Sequence, residues 1–355
     1  MTPSADAPQA DSAPVAALRR ALATVQDPDL KRDLVALDMV RDLAVDAGVA
    51  RFRLVLTTGA CPVKQELEDQ CRAAALTVPG VTSADIAVSA EVPRFRTDPT
   101  LPGVRHIIGV GSGKGGVGKS TVTTNLACAL AAMGARVGLL DADIHGPSIP
   151  TMMGIRQEPF VINKKMVPIE RHGVKMISIG FLVADDHAVI WRGPMVTGAL
   201  KQFLTDVEWG ELDYLFIDLP PGTGDVQLTL CQSVPLAGAV VVTTPQTVAL
   251  SDARRAAALF AKVNVEVFGI VENMSGYVCP QCGHHDDIFS HGGGEAYAAE
   301  VGVPFLGAVP LEPGVRIAGD EGTPVVLAAP DSLSAKALRA VAQKVAQRAS
   351  IAALG

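Results

Sequence analysis

The sequence predicts an α/β fold with a doubly wound, mostly parallel sheet, preceded by a small α+β domain. Two observations predict it. From Arg105 onward, apolar runs recur at residues 106–110, 136–140, 175–179, 214–217, 239–242, 267–271 and 304–308, with helical stretches between them. These runs lack the period-two alternation of a half-exposed strand, as expected of parallel strands covered by helices on both faces. The residues before them alternate instead, as a small sheet with one wet face does. A fold of the first kind places its ligands at the carboxyl ends of the strands.

The elements follow in order. Residues 1–14 are small, polar and proline-containing, and read as a disordered tail. Residues 15–92 read as an αββαβ unit. Val15, Leu18, Leu22 and Val25 have helical spacing, and Asp27-Pro28-Asp29 stops that helix because proline cannot continue it. Residues 39–45 and 49–57 form a hairpin around Asp46-Ala47-Gly48. In its second strand Phe52, Leu54 and Leu56 face one way, and Arg51 and Arg53 the other. Pro62 opens a helix carrying Val63, Leu67 and Cys71, and Ile86 with Val88 marks the last strand. Residues 93–104, rich in proline, read as a linker to a second domain at 105–355.

Composition narrows the function. A net charge of −7 argues against a protein that coats nucleic acid. Six cysteines in 355 residues are too few for a disulfide scaffold. The N-terminus lacks the basic start and apolar core of a signal peptide, and no unbroken apolar stretch of about 18 residues occurs to span a membrane. A soluble cytoplasmic protein with reduced thiols, bound to neither nucleic acid nor membrane, is expected. The mean hydropathy of +0.30 then reflects buried strands.

Directly after the first run of the second domain comes Gly113-Lys114-Gly115-Gly116-Val117-Gly118-Lys119-Ser120, matching G-x-x-x-x-G-K-[ST]. Glycines let backbone N–H groups curl around a β-phosphate, and the helix that follows, residues 121–133, turns its positive end toward it. Lys119 is expected to reach the β- and γ-phosphates, Ser120 to ligate Mg²⁺, and Thr121 to complete the cradle, so ATP with Mg²⁺ is the expected ligand. This is a P-loop NTPase signature. Asp218 ends the run 214–217, and Asp141 and Asp143 follow the run 136–140; each in isolation is a common helix cap, but three in register with a phosphate loop point to a metal and water site.

The added lysine, Lys114, makes the loop resemble the deviant Walker A ATPases of the MinD/ParA-like class. That resemblance implies that Lys114 crosses a dimer interface to the partner's phosphates, much as an arginine finger does. It also implies that Asp143 positions the attacking water, and that Asn273, in Glu272-Asn273-Met274-Ser275, reads adenine.

Cys279-Pro280-Gln281-Cys282-Gly283 follows the run 267–271. C-x-x-C spacing turns two thiolates toward one metal, whereas zinc or a [4Fe–4S] cluster usually takes four ligands, and the chain has no second such pair. Three closures remain open on the residues alone. His284, His285 or His291 could complete a zinc site; a two-fold axis could bring a second Cys279/Cys282 pair opposite the first; or the pair could be a redox dithiol. Cys71, Cys128 and Cys231 fall in apolar helical stretches and read as core.

Taken together, GSGKGGVGKST, DADIHGPSIP, WRGPM (191–195), DLPPGTGD (218–225), ENMS (272–275), CPQC (279–282) and GGGE (292–295) resemble the Mrp/ApbC family of iron–sulfur cluster carrier ATPases. The N-terminal unit, with Asp27-Pro28-Asp29 and Thr57-Thr58-Gly59-Ala60-Cys61-Pro62, resembles the small iron–sulfur assembly domain often fused ahead of that ATPase; Cys61 matches its reactive cysteine. The resemblance implies a homodimer that holds a labile [4Fe–4S] cluster on Cys279 and Cys282 and passes it to apo-proteins under ATP control. A positioning ATPase of the ParA/MinD kind is the rival, and residues 333–349, which mix Lys and Arg with apolar residues, are where it would bind a surface.

Overall fold

The computed structural model describes residues 12–96, 101–144, 146–182, 193–279 and 281–355. The expectations for residues 1–11, His145, Trp191-Arg192 and Pro280 therefore lie outside the described residues. The chain divides into two compact units after Val92.

The first unit runs α1 (Ala13–Leu22), β1 (Val40–Asp46), β2 (Val49–Leu56), α2 (Lys64–Leu76) and β3 (Ser83–Ala90). Ala13 and Pro14, assigned above to the tail, already belong to α1, because a proline in the first turn sacrifices no intrahelical bond. Strand β2 lies between β1, antiparallel, and β3, parallel. Leu18 and Leu22 of α1, Phe52 and Leu54 of β2, and Leu67 and Cys71 of α2 share one buried core, so Cys71 is core as expected.

The second unit contains β4 (Val104–Gly111), α3 (Lys119–Ala132), β5 (Val137–Asp141), α4 (Ile149–Met152), β6 (Phe160–Ile162), β7 (Lys165–Val167), β8 (Ile169–Arg171) and β9 (Val174–Ser178). It continues with α5 (Gly193–Thr205), β10 (Leu212–Asp218), α6 (Asp225–Ser233), β11 (Gly238–Thr243), α7 (Thr247–Lys262), β12 (Val267–Val278) and β13 (His285–Asp286). Last come α8 (Gly293–Val301), β14 (Phe305–Leu311), α9 (Pro313–Asp320), α10 (Val325–Ala328) and α11 (Leu333–Leu354).

Seven of these strands fall on the seven apolar runs. With β8 and β13 they form a nine-stranded sheet in the order β13-β12-β11-β4-β10-β5-β9-β8, and β14 also pairs with β12. All pairings are parallel except those of β8 and β13. Every residue of β5, β10 and β11 is buried, which is why those runs are apolar throughout.

The segment read as a linker is no free spacer in its described part. The Pro93 carbonyl accepts a hydrogen bond from His106 Nε2 (2.6 Å), Phe95 N–H donates to the Arg105 carbonyl (3.2 Å), and Leu101 is buried. Proline content signals extended backbone and is silent on whether that backbone packs.

Candidate functional site

The phosphate loop leaves β4 at Gly111 and enters α3 at Lys119. Two glycines are sterically required. A Cβ on Gly113 would lie 2.0 Å from the backbone carbonyl of Asp252 on α7, and Gly118, the residue before α3, has φ +81°. Ser112 Oγ donates to the Lys114 carbonyl (2.9 Å) and braces the turn.

Strands β5 and β10 pair in parallel register with Asp141 opposite Asp218, so two carboxyl groups end side by side behind the loop. Asp218 is fully buried and collects three donors: Lys119 Nζ at 2.6 Å, Ser120 Oγ at 2.5 Å and Thr123 Oγ1 at 2.6 Å. Lys119 also lies 3.3 Å from Asp143 Oδ2. Asp141 accepts from Ser178 Oγ (2.9 Å) and from the Asp143 N–H (3.2 Å). Burial, and after it the neighbouring Asp218 charge, pushes the Asp141 carboxyl up to about 7. Lys119, Ser120, Asp141, Asp143 and Asp218 are thus one constellation. Thr123 and Ser178 belong to it and were missed in the sequence. Thr123 is legible as i+4 from Lys119, whereas Ser178 requires the strand order.

Two cavities open over the loop. One of about 230 Å³ is lined by Lys114, Gly115, Gly116, Lys119, Ser120 and Asp143. A second of about 410 Å³ shares Gly118, Thr121, Ser148 and Met152 with it and extends to Asn273, Met274 and the β14–α9 segment. Asn273 Nδ2 donates to the Val117 carbonyl (2.9 Å), which ties β12 to the phosphate loop. Pro310, Glu312 and Arg316 of this wall carry no motif; only the rule that ligands gather at strand ends points to them. Ser120 and Asp218 present hard oxygen donors within hydrogen-bond distance of each other, a donor set that suits Mg²⁺.

Cys279 directly follows β12. Tyr277 pairs with Asp286, and Val278 with His285, so β12 and β13 form a hairpin whose turn carries both cysteines. Gly283 N–H donates to the Cys279 carbonyl and Cys279 N–H to the His284 carbonyl, both at 2.9 Å. The N–H groups of Gln281 and Cys282, then the Cys282 thiol, pull the Cys279 thiol below its ordinary value. Burial does the reverse elsewhere: Cys71 is pushed up to about 11, and Cys128 and Cys231 to about 12. Cys61, half-buried, is raised by burial and then by the Asp27 and Asp29 charges, so its thiol resists ionising.

Both cysteines of the turn are free, and Cys282 is exposed. His291 Nδ1 lies 2.8 Å from Asp287 Oδ2, and His285 Nδ1 lies 3.7 Å from Asp287 Oδ1. Among the described residues no group of three or more His, Cys, Asp or Glu is placed to hold a metal ion. The alternative of a single-chain zinc closure with His284, His285 or His291 is therefore not assembled there. The rival surface-binding helix fares no better. α11 buries Leu338, Val341 and Val345, while Arg339 and Lys344 donate to backbone carbonyls of the same unit. Among the described residues no helix is long and apolar enough to cross a membrane.

Comparison with known proteins bears on this arrangement. The family model described as NUBPL iron-transfer P-loop NTPase matches residues 103–346. The chain belongs to that family. Residues 15–87 of this NTPase match a second family model, iron–sulfur cluster assembly protein. It is 51% identical to the iron–sulfur cluster carrier protein of Synechocystis sp. over 94% of its own length and 97% of that protein's. It is 47% identical to the Escherichia coli iron–sulfur cluster carrier protein, over 92% and 89%. Among solved structures, a nucleotide-binding protein of Archaeoglobus fulgidus in complex with ADP superposes with a TM-score of 0.57 at 39% identity, over 63% of this chain and 88% of that one. The septum site-determining protein MinD of Pyrococcus horikoshii, complexed with Mg-ADP, superposes at 0.52 with 25% identity, over 68% and 95%. The MinD-like P-loop fold expected from the sequence is the fold of this NTPase.

Proposed function

We propose that this protein hydrolyses ATP and carries a [4Fe–4S] cluster, held between two copies of the chain on Cys279 and Cys282 of each, and delivers it to apo-proteins. One observation supports the reading above the rest. The cysteine turn offers two accessible thiols, one already inclined to the thiolate, and no third ligand converges on them among the described residues. A cluster that takes four thiolates then needs two more from outside, and a two-fold axis supplies them. The names of the relatives and the assembly-protein match of residues 15–87 support the same cargo.

Each residue has a derivable part. The backbone of Gly113 and Gly115–Gly118, with Val117 between them, cradles the phosphates, and Lys119 and Thr121 hold their oxygens. Lys119 exchanges Asp218 for phosphate as nucleotide enters. Ser120, with Asp218 and Asp141 behind it, would hold Mg²⁺, which would draw charge from the phosphates. Asp143, which lines the smaller cavity beside Lys119, orients attacking water, and Lys114 neutralises charge on the phosphates of the second copy. Asn273, whose amide donates to the Val117 carbonyl and which lines the larger cleft, would read an adenine amino group.

The test is anaerobic reconstitution of the full chain with iron and sulfide, followed by metal and sulfide analysis of the isolated dimer. One four-iron cluster per two chains is expected, and none after Cys279→Ser with Cys282→Ser. A monomer under nucleotide, stoichiometric zinc after anaerobic purification, or a full cluster retained by the double variant refutes the reading.

A further inference from the structure

Among the described residues the mechanism above leaves one fully buried carboxyl group unused, that of Glu272 on β12. Its Oε1 accepts from Ser275 Oγ (2.6 Å) and from the Gly292 N–H (2.9 Å), and its Oε2 accepts from the Gly294 N–H at the start of α8. Ser275 and Gly292 bracket residues 276–291, the segment that contains Cys279 and Cys282. A single side chain therefore grips both ends of the cysteine segment, and a negative group at the N-terminus of α8 is favoured there.

The next residue along the strand is Asn273, whose amide holds the Val117 carbonyl of the phosphate loop. Beyond it Met274 has φ +58°, in the left-handed region a methionine rarely adopts, and the pairing of β12 with β14 shifts register between Asn273 and Tyr277. Asn273 and Met274 both line the 410 Å³ cleft. The kinked stretch of β12 thus lies between the cleft and the cysteine segment, with Glu272 anchored at its base.

We propose that Glu272 is a positioning residue that couples the nucleotide cleft to the cysteine turn. A ligand that enters the cleft and changes the Asn273–Val117 contact moves the peptide adjoining Glu272. Because the same carboxyl holds Ser275, Gly292 and Gly294, both ends of the cysteine segment follow together, and the accessibility of the thiols changes. What the turn carries rests on the carrier reading; the coupling does not.

The experiment uses the full-length, cluster-free protein. Maleimide labelling of Cys279 and Cys282 is followed by mass spectrometry with and without Mg-ATP, for wild type, Glu272→Gln and Ser275→Ala. Wild-type labelling is expected to change with nucleotide. In Glu272→Gln it is expected to run about tenfold faster, the scale on which one lost hydrogen bond to a charged group eases local opening, and to ignore nucleotide that still binds. Ser275→Ala removes one donor without stranding a buried charge, so it folds even if Glu272→Gln does not, and its smaller shift in the same direction decides the matter alone. Wild-type rates that ignore nucleotide, or variants that match wild type in rate and response, overturn the proposal. A labelling pattern as expected in a protein that takes up no cluster upholds it and refutes the carrier reading.

Discussion

At the carboxyl ends of β5 and β10, behind the phosphate loop, polar groups are buried and bonded to one another: Asp218 alone engages Lys119, Ser120 and Thr123. At the end of β12 the cysteine turn is held by backbone bonds and exposed side chains, with Cys282 open to solvent and His291 paired to Asp287 at the surface. On the carrier function proposed above, the difference follows from what each place must do. Phosphate transfer depends on charge fixed in a low-dielectric pocket, where reorganisation would cost rate. A labile cargo depends on ligands that outside molecules can reach. Five residues of β12, 274–278, separate Asn273 from Cys279, so the two regimes meet along one element.

The strongest way to break this contrast is Lys119→Ala. It is expected to cut ATP turnover by about 10²–10³-fold, the scale of removing one preorganised charge donor, while anaerobic cluster uptake continues. Steady-state phosphate release checks the first expectation and iron analysis the second. Unchanged hydrolysis would remove the phosphate loop from the chemistry.

Next in size is the pH response of nucleotide-free protein. Asp141, raised by burial and by Asp218 to about 7, keeps in the folded state a proton that the unfolded chain, with its aspartates near 3.9, has already released. Its contribution to stability is full below about pH 4 and is lost as the pH climbs through 7. Asp141→Asn should erase that slope, so wild type should lose roughly 2–4 kcal/mol relative to the variant between pH 4 and 7.5 in urea titrations. Parallel curves would mean that Asp141 is ionised in the folded protein at both ends of the range. Cys279 has the opposite sign: its lowered thiol favours the folded turn at alkaline pH, and that contribution fades as the pH falls through its folded value.

Much of the phosphate end was readable in the sequence because its signals are local. An apolar run, a glycine loop, a helix and acids at strand ends each occupy a few consecutive residues, and strand register alone brings Asp141 to Asp218. What stayed hidden depends on neighbours distant in the chain. Ser178 meets Asp141 only because β9 pairs with β5. Pro310 and Arg316 reach the cleft from the far side of β14. Strands β8 and β13, of three and two residues, are too short to leave a pattern. Glu272 looks in the sequence like the polar end of an apolar run, and its partners Gly292 and Gly294 lie on the far side of the cysteine segment.

The smallest effects sharpen the comparison most directly. Thr123→Val keeps the shape of the side chain but deletes a hydroxyl bonded to a buried carboxyl, and is expected to cost about 2 kcal/mol in chemical denaturation. His291→Ala deletes the partner of Asp287 at the cysteine turn, where both side chains face solvent, and is expected to cost no more than about 0.5 kcal/mol. The ratio carries the meaning, since each substitution removes a polar contact of similar length to a carboxylate. Equal costs would show that the turn is held as firmly as the phosphate loop, and that exposure there is no guide to how readily it moves.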